Sequence, residues 1–129
     1  MILTIRTDNP YAELGLFKGT EEKSYLKWLA DRKLSSDIHK KIDELFREQD
    51  TDYSSLTGVV IYKGPGSFTG LRIGFSVANV IAGELDIPIA ASGGEQWIKS
   101  GLKLLKSEPD GRTALPDYGS EPKTTKPKK

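Results

Sequence analysis

The sequence has no cysteine. That excludes disulfides, thiolate metal sites and cysteine nucleophiles together, and it fits a reducing compartment. It has one histidine, His39, so a zinc site of two or three histidines cannot be built in one copy. It lacks a charge excess. The 19 Lys and Arg stand against 18 Asp and Glu, and a net charge of +1 makes no basic field for wholesale nucleic-acid binding. No apolar run approaches about 18 residues, so no membrane span is expected. The opening Met1-Ile2-Leu3-Thr4-Ile5-Arg6 has no basic leader and no small-residue cleavage site, and it reads as a strand rather than a signal peptide. At 129 residues one domain is expected, soluble and cytoplasmic.

Large aliphatics thin out after Lys106. The remainder carries Pro109, Pro116, Pro122 and Pro127 and ends Lys123-Thr124-Thr125-Lys126-Pro127-Lys128-Lys129. Such a segment buries too little apolar surface to offset its ordering entropy. Residues 1–106 are therefore expected to fold, with 107–129 a disordered Pro- and Lys-rich tail.

The folded part begins with three short strand patterns, Ile2 to Thr7, Tyr11 to Phe17 and Lys23 to Leu29. Asp8-Asn9-Pro10 and Lys18-Gly19-Thr20 separate them, and two short connections imply an antiparallel meander. A helix follows, with Ser35 or Ser36 as N-cap. Its Ile38, Ile42, Leu45 and Phe46 span an arc of about 100°, one ordinary buried face. His39 sits at the edge of that arc, and Asp43-Glu44 lie on its charged side. Gly58 to Tyr62 is a continuous apolar run, as a strand covered on both faces requires. The helix before it supplies the crossover for parallel pairing with the first strand. A Gly-rich turn, a second helix to about Glu84 and a strand at Ile87 to Ala90 come next. The last helix is expected to open at Ser92, where Ser92-Gly93-Gly94-Glu95 has capping-box spacing, and to present Trp97, Ile98, Gly101, Leu102 and Leu105 on one face. The order indicates an α/β domain with a mixed five-stranded sheet.

Lys63-Gly64-Pro65-Gly66-Ser67-Phe68-Thr69-Gly70-Leu71-Arg72-Ile73-Gly74 links the buried strand to the second helix. No lysine follows the last glycine of the loop, so it is not a phosphate-binding P-loop. The dinucleotide spacing fails as well. A helix N-terminus is an anion site in principle, which makes Arg6, Ser67, Thr69 and Arg72 candidate anion ligands. The alternative is a purely structural turn. Ser67 and Thr69 have no activating base in the loop, so neither is expected to be a nucleophile.

In the second helix Arg72, Ser76, Asn79 and Gly83 share one narrow stripe. Most of the remainder is apolar over roughly 220°, about twice the width of one buried face. Gly70, Gly74, Ala78 and Ala82 recur every four residues, a spacing that lets another backbone approach closely. That backbone belongs either to the chain's own sheet or first helix, or to a partner helix.

The loop and its flanks, with Ile2-Leu3-Thr4-Ile5-Arg6-Thr7 and Ile87-Pro88-Ile89-Ala90, resemble the TsaB (YeaZ) family of the bacterial tRNA threonylcarbamoyladenosine pathway. The likeness runs from Met1 to about Lys106. It implies a single actin-like (ribonuclease-H-like, ASKHA) half-domain over residues 1–106. It also implies a non-catalytic partner of the metal-bearing subunit TsaD, which transfers threonylcarbamate to a tRNA adenosine, with the ATPase TsaE joining the complex. Family members pair with TsaD, or with themselves, through their first two helices, here about 36–49 and 69–84. Three features depart from the family. Arg6 stands where its first strand carries Asp, no histidine falls within Ser92-Gly93-Gly94-Glu95-Gln96-Trp97, and family members continue into a second similar half.

The resulting expectation is a scaffold with no cofactor, no metal and no catalytic residue. It meets a TsaD-like subunit through Ile38, Ile42, Leu45, Phe46, Gly70, Leu71, Gly74, Phe75, Ala78 and Ala82, and it reaches tRNA only indirectly. It forms a homodimer through the same helices when alone. The rival expectations are a small phosphate- or nucleotide-binding enzyme built on the Gly-rich loop, and a homodimeric interaction protein with no role in tRNA modification.

Overall fold

The computed structural model describes residues 1–107. The expected tail from 107 onwards lies, apart from its first residue, outside the described residues. Three strands lead, β1 (Ile2–Arg6), β2 (Tyr11–Lys18) and β3 (Glu21–Leu29). Helix α1 (Leu34–Glu48), strand β4 (Gly58–Tyr62), helix α2 (Phe68–Leu85), strand β5 (Ile89–Ser92) and helix α3 (Trp97–Ser107) follow. The sheet order is β3-β2-β1-β4-β5. β1–β2 and β2–β3 pair antiparallel, and β1–β4 and β4–β5 pair parallel. This is the mixed five-stranded α/β sheet expected from the meander and the crossover.

The parity of the pleat separates the layers. Thr4 pairs with Val60, so those two side chains share one face, while Leu3, Ile5 and Thr7 lie on the other. A Cβ on Gly70 or Gly74 of α2 would collide with Thr7, and one on Gly101 of α3 would collide with Val60. α2 and α3 therefore cover opposite faces. α1 packs on β2 and β3 and touches α2, so it completes the Leu3–Ile5 side. That side holds most of the large side chains that are fully buried, Leu3, Ile5, Leu14, Leu16, Ile38, Ile42 and Leu71 among them. β4, buried at all five positions and contacted by both α2 and α3, is the strand covered on both faces that its apolar run predicted.

The boundaries shift where local chemistry differs from the sequence signal. α1 starts at Leu34, after a 3-10 turn at Asp31–Lys33, and has no side-chain cap. Ser36 is inside the helix, its hydroxyl donating to the Lys33 carbonyl at 3.0 Å. Ser92 closes β5 rather than opening α3, and its hydroxyl donates to the Trp97 carbonyl. The capping-box spacing at Ser92–Glu95 is thus not a helix start. Asp86, in the left-handed region at φ 52°, ends α2. Among the described residues no helix is long and apolar enough to cross a membrane.

Candidate functional site

The Gly-rich loop leaves β4 at the carboxyl end of the parallel strands and enters α2. Ser67 caps the helix, its Oγ accepting from the Gly70 N–H at 3.4 Å. Its own N–H donates to the Asp8 carbonyl at 2.8 Å. Thr7 Oγ1 donates to the Gly70 carbonyl at 2.7 Å. The glycines explain how the chains come so close. A Cβ at Gly66 would lie 2.4 Å from the Asp8 Cβ, one at Gly70 2.2 Å from the Thr7 carbonyl oxygen, and one at Gly74 2.1 Å from Thr7 Oγ1. Glycines 66, 70 and 74 thus form one track along which the loop and the first turns of α2 lie against the end of β1.

This placement corrects the interface residues named from the sequence. Ile38, Ile42, Leu45, Phe46, Leu71, Phe75, Ala78 and Ala82 are all buried in the chain's own core. Gly74 is buried against Thr7, and Gly70, partly exposed, abuts the same residue. The close approach is real, but the approaching backbone is β1 and not another helix. Side chains already sealed inside the monomer have no surface left to give a partner.

The anion reading of Arg6 is corrected in the same way. Its Nε and second guanidinium nitrogen reach the two Asp8 carboxylate oxygens at 2.7 and 3.2 Å. Its plane lies over the Tyr62 ring, 3.9 Å from the centroid. The Asp8 hydrogen bond, the largest influence on this group, raises the Arg6 pKa above the ordinary value. The anion Arg6 holds is in its own chain. Ser67 is occupied as a cap. Thr69 and Arg72 are exposed, and Arg72 stands over the Phe68 ring at 5.4 Å. Thr69 and Arg72 share a groove that contains neither Arg6 nor Ser67, so the four candidates do not converge. Among the described residues no three His, Cys, Asp or Glu side chains gather as a metal-holding group.

What α2 does expose is a different set of apolar side chains. Phe68 is 54% exposed and Val80 61%, and Ile73 is partly exposed. An open groove of about 450 Å3 runs between α1 and the first turns of α2, lined by Ser35, His39, Phe68, Thr69, Arg72, Ile73, Ser76 and Val77. Sequence reasoning passed over Phe68, which sits at the helix start outside the periodic count. Val80 was counted with the apolar arc, although it lies next to the polar stripe. Position within the arc was the usable signal, since apolar residues at its edge are the ones one sheet face leaves uncovered.

Residues 28–91, from the end of β3 into β5, match the family model for TsaD, tRNA N6-adenosine threonylcarbamoyltransferase. The chain is 44% identical over 50 residues to the tRNA threonylcarbamoyladenosine biosynthesis protein TsaB of Bacillus subtilis, a match covering 39% of this chain and 22% of that protein. It is 32% identical over 74 residues to TsaB of Haemophilus influenzae, covering 57% of this chain and 30% of that one. Among solved structures, YeaZ from Pseudomonas aeruginosa superposes with a TM-score of 0.68 at 19% identity, covering 83% of this chain and 49% of that one. The matches span well under half of these curated relatives and about half of the YeaZ chain.

Proposed function

We propose, from its similarity to curated TsaB proteins and the fold it shares with YeaZ, that this chain is a non-catalytic scaffold. It binds a TsaD-like subunit and supports threonylcarbamoyl transfer to a tRNA adenosine. The observation that supports the reading is the exposure of apolar side chains on α2, with Phe68 and Ile73 lining the groove against α1 and Val80 farther along the helix. Exposed apolar side chains rimmed by polar ones mark interaction sites. Here Arg72, Ser76, Ser35 and His39 supply the rim. The scaffold acts by burying these side chains and so fixing the partner's orientation. A TsaE-like ATPase joins the assembled complex, and tRNA is reached through the partner. In the absence of TsaD the same side chains pair two copies of the chain.

The test is co-purification of the chain with a TsaD-like subunit, using Val80→Asp and Phe68→Asp. A charge at the centre of an apolar contact is expected to weaken binding by about 2 kcal/mol, roughly thirtyfold. Sedimentation of the chain alone should show any homodimer lost in the same variants. Undiminished capture by folded variants overturns the surface.

A further inference from the structure

Helix α2 carries two ionisable side chains, Arg72 near its start and Glu84 near its end. Twelve residues separate them, about 18 Å along the helix axis. The Arg72 guanidinium stands over the Phe68 ring, 5.4 Å from its centroid. Arg72, Phe68 and Ile73 line the same groove, to which α1 adds Ser35 and His39. No carboxylate is among the lining residues, so those of α1 stay outside it. Among the described residues Arg72 belongs to no ion pair. Arg6, by contrast, is held by Asp8 at 2.7 Å.

That isolation constrains the contact proposed above for α2. A partner that buries Phe68 also covers the guanidinium standing over its ring. Water then leaves the group, and a charge taken out of water without a counter-charge is strongly unfavourable. The chain does not supply that counter-charge. Glu84 is more than three turns away, and α1 faces Arg72 across the groove with a hydroxyl and an imidazole. The counter-charge must therefore arrive with the partner. A guanidinium presents five N–H donors in one plane, and a carboxylate accepts two of them in parallel. A lysine or a wholly apolar surface at that point would leave the guanidinium buried and unpaired, so Arg72 discriminates among partners as well as attracting one.

We infer that the TsaD-like subunit seats an aspartate or glutamate side chain against Arg72, in the groove between α1 and the first turns of α2; this rests on the scaffold reading and names the chemistry of its partner. The test uses the full chain and the TsaD-like subunit. Arg72→Lys keeps the charge and introduces an amine, which a carbodiimide joins to a carboxylate in direct contact. Mass spectrometry should find an amide between position 72 and an aspartate or glutamate of the subunit. Arg72→Met, at an exposed position, should retain the thermal transition and weaken capture about tenfold or more, because the partner's carboxylate is left buried without a counter-charge. The apolar contact alone predicts the opposite sign, since methionine adds apolar surface. Full capture by Arg72→Met overturns the inference and leaves the apolar contact standing, as does a captured Arg72→Lys chain whose cross-links miss position 72. A loss of capture seen with Arg72→Met only when tRNA is present also overturns it, by assigning Arg72 to a phosphate. Failure of the wild-type chain to capture the subunit overturns the scaffold reading and the inference together.

Discussion

The two sides of α2 use similar residue types for opposite ends. Toward the sheet, glycine and alanine bring the helix axis against β1, and every apolar side chain there is sealed by its own chain. Away from the sheet, Phe68 and Val80 stand in solvent. Read as composition the helix is apolar nearly all round. Read as geometry it has a sealed side that sets the fold and an open side that is free to bind. An apolar residue on a helix is thus no guide to partner binding until its direction is known.

The comparison predicts a steep difference in tolerance along one helix. Alanine is ordinarily favoured over glycine inside a helix by up to about 1 kcal/mol. At Gly70 the sign should reverse. The new Cβ would meet the Thr7 carbonyl oxygen at 2.2 Å, a backbone atom that cannot swing aside. Gly70→Ala is expected to cost about 3 kcal/mol or more, read as a drop in the denaturation midpoint. Neutral behaviour would mean that α2 does not sit on β1 as described. Any loss of partner binding in this variant would follow from the lost fold, so glycine-track substitutions are poor probes of the interface.

The order of elements was legible in the sequence because hydrophobic period and turn chemistry are local. The all-apolar run at Gly58–Tyr62 announced a strand covered on both faces, and two short turns announced the meander. The addressee of the small-residue stripe was not legible. A four-residue period says that some backbone comes close, not which one, and Thr7 is 63 residues from Gly70 in the chain. Arg6 illustrates the same limit at short range. Its partner Asp8 was in plain view as part of a turn signal, but nothing in spacing says that a turn carboxylate folds back onto a strand guanidinium. Ser92 looked like a cap because three-residue spacing to an acid is common to helix starts and to loops. The outward apolar residues were half legible, since Val80 lay at the edge of the apolar arc while Phe68 precedes its count.

A smaller effect sharpens the sealed side. Thr7→Val keeps shape and removes the hydroxyl that donates to the Gly70 carbonyl at 2.7 Å. The cost should be about 1 kcal/mol, because that carbonyl retains its helical partner. Smaller still, and of opposite sign, is Gly83→Ala. Gly83 lies in the same helix, and a Cβ there would have nothing within 4 Å, so the substitution should raise stability by about 0.5–1 kcal/mol. Gly70 and Gly83 would then give opposite answers to one chemical change. If both were destabilised alike, the contact at Thr7 would not be the cause.

The smallest change in stability is expected at Val80→Asp, and it separates fold from function most cleanly. Val80 is 61% exposed, so little apolar burial is lost and the isolated chain should move by no more than about 0.5 kcal/mol. If the open side of α2 is a contact surface, that nearly silent substitution must still weaken capture of a TsaD-like subunit by roughly thirtyfold. The wild-type chain buries Val80 only in the complex, and the charge would be stranded there without water or a counter-ion. A thermal melt and a pull-down on the same preparation decide the matter. An unchanged melt with weakened capture assigns the outer side of α2 to binding. An unchanged melt with full capture leaves α2 a purely internal helix, both of its sides accounted for without a partner.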